Sequence, residues 1–319
     1  MSDPQLLTAF EIPPSPARTR APARSPLRIG AVQESWRSDP DEHQAALARG
    51  IAMAAEAGGQ VVCLQELTLS PYFAITPDGP QALGVEPEEL ETGPTISFAR
   101  HCAAEHGVHV HASLFERADP EAGHPDGLGY NTAILVAPDG RLVTRTRKLH
   151  IPVTSGYYED HYFRPGPAAG EPFPLAALPL PDGEARLGLP TCWDQWFPEL
   201  ARAYSLAGAE VLIYPTAIGS EPDHPEFDTE PLWQQVIVGN GVANGTFMVA
   251  VNRTGTEGPI TFYGSSFISD PYGRILVQAP RNRAAVLVAD LDLDQRQDWL
   301  ELFPFLSTRR PDAYGTLTA

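Results

Sequence analysis

The sequence predicts an α/β fold with mixed sheets, and two features of its patterning carry that expectation. Short apolar runs alternate with amphipathic stretches along most of the chain, the rhythm of strands joined by helices. Turn sequences such as Pro138-Asp139-Gly140 and Asp270-Pro271-Tyr272-Gly273 lie between apolar runs and add hairpins. At 319 residues, 43% of them apolar, the chain has ample material for one large core.

The first 26 residues stand apart. They hold six prolines, with Arg18, Arg20 and Arg24 among Ser, Thr and Ala. Such a composition buries little apolar surface, so a flexible or surface-draped arm is expected there. From Leu27 the texture changes, and a single domain is expected over residues 27–319, because no Pro- or Gly-rich linker divides it. Leu27 to Gln33 reads as a strand. Asp39-Pro40-Asp41-Glu42 opens a helix with a capping Asp, Pro at the first helical position and acids in the first turn, and Gly58-Gly59 closes it. Val61-Val62-Cys63-Leu64 is apolar throughout, as in a strand buried on both faces. A helix over 96–105, a strand over 108–112 and a hairpin of 131–136 with 141–147 follow. The second half repeats the alternation: strand 185–191, helix 198–207 ending at Gly208, strand 211–214, helix 233–244, and strands 246–251, 264–269 and 284–290.

Forty Asp and Glu against 22 Lys and Arg leave a formal net charge of −18. A field of that sign repels nucleic acid and anionic membranes, so neither is an expected partner, whereas a neutral or cationic small molecule is compatible. No run approaches the 18 apolar residues of a membrane span, and the N-terminus lacks the pattern of a signal peptide. Three cysteines do not make a disulfide scaffold, which favours a reducing cytoplasm.

Three chemically competent groups fall just past the ends of strands. Glu66 follows Val61 to Gln65, Lys148 follows Arg141 to Arg147, and Cys192 follows Leu187 to Thr191. In open α/β sheets ligands bind beyond the carboxyl ends of strands. A lysine lowers the pKa of a nearby thiol, and a carboxylate accepts its proton and later activates water. An ammonium also stabilises an oxyanion, an effect worth about 3–4 kcal/mol for one good donor. Other candidates are weaker. His101 and His106 are poorly aligned on one helix face, and with His109 and His111 they make no convincing metal cluster. Cys63 and Cys102 fall inside a strand and a helix and read as inert core thiols.

Leu64-Gln65-Glu66-Leu67, Arg147-Lys148-Leu149-His150-Ile151-Pro152 and Cys192-Trp193-Asp194-Gln195-Trp196-Phe197-Pro198-Glu199 are three ordered blocks. In them the chain resembles the nitrilase-like carbon–nitrogen hydrolases, from about Leu27 to about Leu306. The resemblance implies a four-layer α-β-β-α sandwich with two mixed sheets, assembled as a homodimer or larger oligomer. It implies Glu66 as base, Lys148 as oxyanion partner and Cys192 as nucleophile, with no metal or organic cofactor. A second family glutamate maps to Glu159, ahead of Tyr162-Phe163-Arg164-Pro165-Gly166.

Within the family, Ser70-Pro71-Tyr72-Phe73, Gly156-Tyr157-Tyr158-Glu159 and Tyr214 to Pro222 are similar to the subgroup that cleaves N-carbamoylputrescine. Relatives acting on carbamoyl amino acids tend to place an arginine shortly after the cysteine, to grip a carboxylate. Here those positions are Trp193, Asp194, Gln195 and Trp196. The loop after Gly219 carries Glu221, Asp223, Glu226, Asp228 and Glu230 instead, which suits an amine tail. Tyr72, Tyr157, Trp193, Glu221 and Asp228 are therefore the expected substrate-binding residues. Two departures stand out: the subgroup's Asp-Ser-Arg-Asp-His-Trp is Asp228-Thr229-Glu230-Pro231-Leu232-Trp233 here, and Pro190 lies two residues before Cys192. The alternatives are a β-ureido acid, an ω-amino acid amide or a nitrile as substrate, or a non-catalytic binding protein on the same scaffold.

Overall fold

Strands that are apolar on both sides need cover on both sides, and two sheets stacked face to face with helices outside provide it. The computed structural model describes residues 4–118 and 127–318. The first half contributes β1 (Gln5–Ala9), β2 (Leu27–Gln33), α1 (Pro40–Glu56), β3 (Val61–Cys63), the short α2 (Pro80–Leu83), α3 (Pro94–His106), β4 (His109–Glu116), β5 (Tyr130–Val136), β6 (Leu142–Arg147) and the small hairpin of β7 (Val153–Thr154) and β8 (Tyr157–Tyr158). The second half contributes β9 (Leu175–Leu180), β10 (Gly183–Gly188), α4 (Pro198–Ala207), β11 (Val211–Thr216), α5 (Glu230–Asn244) and β12 (Phe247–Asn252). It ends with the ribbon of β13 (Thr254–Glu257) and β14 (Ile260–Tyr263), then β15 (Phe267–Ser269), β16 (Ile275–Gln278), β17 (Ala285–Leu291) and α6 (Asp294–Leu302).

One sheet has the order β1-β17-β2-β3-β4-β5-β6 and the other β16-β15-β12-β11-β10-β9. The centres are parallel, β2-β3-β4 in the first and β10-β11-β12 in the second, and the flanking pairs are mostly antiparallel. Both sheets are therefore mixed. Alternation at period two sorts the side chains into layers. Val61 and Cys63 of β3 face the other sheet, while Val62 and Leu64 pack with Leu47, Ile51 and Ile96 of the outer helices. Likewise Val211 and Ile213 of β11 fill the space between sheets, and Leu212 and Tyr214 meet Leu200, Trp233 and Ile237 of α4 and α5. The result is the α-β-β-α sandwich.

The helix start at Asp39 is as the sequence reads it: its carboxylate accepts from the N–H groups of Asp41 and Glu42. The strand before Cys192 is shorter than its apolar run. β10 pairs with β11 at Leu187 and Gly188 and stops there, two residues short of Pro190, which has no N–H to extend the ladder. Thr191 and Cys192 thereby leave the sheet and begin a turn.

The N-terminal segment differs from a free arm. Gln5 to Ala9 pairs in parallel with Ala285 to Ala289 and extends the first sheet. The stretch that follows crosses α6, where Arg18 meets Asp292 and Asp298 and Arg24 meets Asp294 and Glu210. Ladder hydrogen bonds and ion pairs hold most of it, and Leu7 and Ala9 pack against the core between the sheets; composition reports only apolar content. Burial acts to raise the Asp294 carboxyl pKa, but the bonds from Arg24 and from the Ala23 N–H hold it below the ordinary value. A lowered native pKa contributes stability above the unfolded value and loses it as pH falls through the native one. Replacing Arg24 by Ala should lower unfolding free energy by about 1–3 kcal/mol near neutral pH. In denaturant titrations the difference from the native chain should shrink as pH drops below about 4; a constant difference would show that the ion pair is not its source.

Candidate active site

The carboxyl ends of β3 and β6 lie on the same edge of the first sheet, and the turn after β10 meets them from the second. Lys148 is wholly buried, its N–H bound to the Asn131 carbonyl at 2.8 Å. Its ammonium donates to Glu66 Oε1 at 3.0 Å and to both oxygens of Glu159 at 2.8 and 2.7 Å. Glu66 and Glu159 are themselves fully buried. Asn131 Nδ2 donates to Glu66 Oε1 at 2.7 Å, and the Tyr72 hydroxyl donates to Glu159 Oε1 at 2.9 Å. Glu66 Oε2 is buried without a hydrogen-bond partner among the described residues. Asn131 was not legible as a site residue: it sits inside an apolar strand, and nothing in its neighbours marks it.

Cys192 opens a short 3-10 turn running to Trp196, with φ of 38°, the left-handed region that non-glycine residues avoid. Backbone of this kind persists only where its surroundings over-determine it. Here they do. The Asp194 carboxylate accepts from the Thr191 N–H at 3.2 Å, and from the N–H and Nδ1 of His150 at 3.0 and 2.7 Å. His150 stacks on Phe197, ring centroids 3.6 Å apart. From α5, Trp233 Nε1 donates to Gln195 Oε1 and Asn240 Nδ2 to the Gln195 carbonyl, both at 2.9 Å. The second and third sequence blocks are thus joined by Asp194 and His150, a link that their linear spacing does not reveal.

Lys148 lowers the Cys192 pKa, as expected, but it does not set the net direction. Burial, then Glu66, pushes the Cys192 thiol well above its ordinary range; Lys148 pulls it down and Glu159 pushes it up again. Burial is the largest of these causes, and the two carboxylates outweigh the single ammonium in the same direction. Burial alone would lower the Lys148 pKa, but Glu159 and Glu66 hold the ammonium charged. Burial and Glu66 raise Glu159, against the pull of Lys148. Elsewhere, burial pushes the Cys102 thiol up to about 11, and Cys63 higher still, as expected for core thiols.

A cavity of about 180 Å³ opens beside Cys192 and Glu159, walled by Tyr157, Trp193, Trp196, Ile218 and Leu232, with Glu221 also lining it. Three of the five expected substrate-binding residues, Tyr157, Trp193 and Glu221, are therefore among its lining residues. Tyr72 is not: its side chain is buried behind the cavity, where it bonds Glu159. Asp228 is not either. It lines a neighbouring cavity of about 530 Å³, and its carboxylate pairs with both terminal nitrogens of Arg281 at 2.6 and 2.9 Å. That pairing offsets the acid's charge, and Asp228 does not line the Cys192 cavity. Asp223, Glu226 and Glu230 leave the Cys192 cavity unlined too, so Glu221 alone of the loop acids reaches it. Its carboxylate accepts from Thr229 Oγ1 at 3.2 Å, and burial raises its pKa.

Comparison with known proteins agrees with this architecture. Residues 28–301 match the carbon–nitrogen hydrolase family. The N-carbamoylputrescine amidase of Arabidopsis thaliana is 36% identical over 92% of this chain and 96% of its own length. The citrullinase of Francisella tularensis is 33% identical over 91% and 98%. The crystal structure of a carbon–nitrogen hydrolase from Helicobacter pylori G27 is similar in fold, with a TM-score of 0.76 and 31% identity over 92% of this chain and 99% of that one. The chain belongs to the carbon–nitrogen hydrolase family, enzymes of the α-β-β-α sandwich, and acts on amides.

Proposed function

We propose that this enzyme hydrolyses an N-carbamoyl amine with a cationic tail, N-carbamoylputrescine being the type substrate, through a covalent intermediate on Cys192. The observation that carries the substrate class is the charge of the cavity. Among the described residues, the carboxylic acids lining it are Glu159 and Glu221, and no Arg, Lys or His lines it. Glu159 is engaged by Lys148, so Glu221 is left to meet a cation. A carboxylate tail would be buried there without a partner, at a cost of several kcal/mol. Trp193 and Trp196 add aromatic surface for an ammonium or its methylene chain.

In this reading the unpartnered Oε2 of Glu66 takes the Sγ proton as sulfur attacks the carbonyl carbon. The reaction does not need a preformed thiolate, which the buried negative surrounding disfavours. Lys148 and a backbone N–H near Trp193 hold the oxyanion. Glu66 returns its proton to the departing ammonia, leaving a thiocarbamate on Cys192. Water, deprotonated by Glu66, then attacks the same carbon; the carbon–sulfur bond breaks and the sulfur regains a proton. The carbamic acid released decomposes to the diamine and carbon dioxide. Glu159 keeps Lys148 charged and in place throughout. The chemistry calls on no metal or organic cofactor.

Converting Cys192 to Ala should abolish turnover and leave the circular dichroism spectrum and melting temperature close to native. Residual activity above a few per cent would remove Cys192 as nucleophile. Ammonia release should be fastest with N-carbamoylputrescine when it is assayed beside citrulline and N-carbamoyl-β-alanine. Citrulline keeps the ureido group and the ammonium and adds an α-carboxylate, so its preference would overturn the exclusion of a carboxylate from the cavity, and preference for the β-alanine derivative, which has no ammonium, would overturn the cation-tail reading; both would keep the family chemistry. Replacing Glu221 by Gln should raise KM for the carbamoyl diamine roughly tenfold, about 1.4 kcal/mol, with kcat little changed; an unaltered KM would show that Glu221 does not meet the tail.

A further inference from the structure

We propose that the buried Arg253–Glu257 ion pair is a positioning device for the reaction. It sets the placement of the two carboxylates that share Lys148, acting on Glu66 through the backbone and on Glu159 through Tyr72. The inference rests on Glu66 serving as the base for Cys192.

Arg253 directly follows β12 and its side chain is wholly out of solvent. One terminal nitrogen, Nη1, donates to Glu257 Oε1 at 2.6 Å. The other, Nη2, donates to the carbonyls of Glu66, Leu67 and Ser70 at 2.7, 3.2 and 3.3 Å. Glu257 Oε2 in turn accepts the N–H of Tyr72 at 2.7 Å. A single ion pair thus holds the segment 66–72 at both ends. Tyr72 passes the constraint on, because its hydroxyl donates to Glu159.

The segment needs holding. Leu67 has φ of 49°, left-handed backbone that a leucine does not adopt unforced. Three carbonyls gathered on one nitrogen keep that turn closed, and a guanidinium supplies the several donors in fixed directions that a lysine does not. Stability alone does not call for such a pair, since well-packed apolar replacements of buried ion pairs are often neutral or stabilising. Neither residue lines the Cys192 cavity, so both act through others. Displacing a reacting group by about 1 Å can cost about a hundredfold in rate. Glu66, whose main chain Arg253 bonds directly, is the group most exposed to that loss.

The test uses the full-length enzyme with Arg253→Lys and Glu257→Gln variants, and two readings. Steady-state ammonia release on the best substrate of the panel above should show kcat reduced about 10- to 100-fold, with KM within about threefold of native. Alkylation of Cys192 by iodoacetamide should slow by a comparable factor, because the thiol needs Glu66 to take its proton. A pair that only supports the fold would lower the melting temperature and leave both kcat per alkylatable Cys192 and the alkylation rate at native values, and that result overturns the proposal. If Arg253→Lys does not yield folded protein, Glu257→Gln, which keeps side-chain volume, decides by the same readings. A native enzyme silent on every amide would count against the proposed function. The alkylation arm needs no turnover, so native-like alkylation in the variants would still overturn the positioning role.

Discussion

The ammonium of Lys148, shut away from water between Glu66 and Glu159, is the interaction on which the rest of the site depends. An ammonium removed from water costs several kcal/mol unless its partners are well placed, and one carboxylate seldom suffices. Two are supplied here, each with a further donor of its own, Asn131 for Glu66 and Tyr72 for Glu159. The arrangement over-compensates the cation and leaves a negative surrounding. Burial first, and that surplus after it, push the Cys192 thiol well above its ordinary range. The lysine is thus better described as a fixed positive point between two bases than as an activator of the thiol.

Holding four groups from separate strand ends in this relation requires support that is itself buried and polar. Asp194 draws the turn of Cys192 to His150, and α5 grips the same turn at Gln195. Two non-glycine residues of the site, Leu67 and Cys192, carry left-handed backbone, and each is braced by several hydrogen bonds. Local strain and the network that holds it occur together, as expected where geometry rather than stability is being maintained.

Charge selection in the cavity is a local matter. The chain carries a formal −18, yet what lies beside Cys192 is decided by which acids find partners elsewhere. Asp228 is taken by Arg281, and Glu159 by Lys148. Glu221 accepts from the Thr229 hydroxyl, lies near His224 and lines the cavity. A count of acids in the loop, five by sequence, overstates the cavity's charge because four of them do not line it.

Much of the fold was legible. The strand at 27–33 and the helix at 198–207 have the bounds that the pattern implies, since apolar alternation and Pro or Gly punctuation act within a few residues. The elements that escaped reading lack those marks. β1 lies in a proline-rich segment and is ordered by a ladder to β17, 280 positions away. β9 carries a proline, and α6 is too polar to show an apolar face. The catalytic candidates Glu66, Lys148, Glu159 and Cys192 were visible because their motifs are contiguous. Their partners, Asn131, Tyr72 acting on Glu159, Arg253 and Glu257, were not. By itself the sequence determined the layers, the strand ends and the types of chemical group offered there, because those follow from the chain's local order. The tertiary structure alone decided which charges neutralise one another, which acid faces the cavity and how the thiol titrates, because electrostatic energy depends on distance and burial among residues that the sequence keeps far apart.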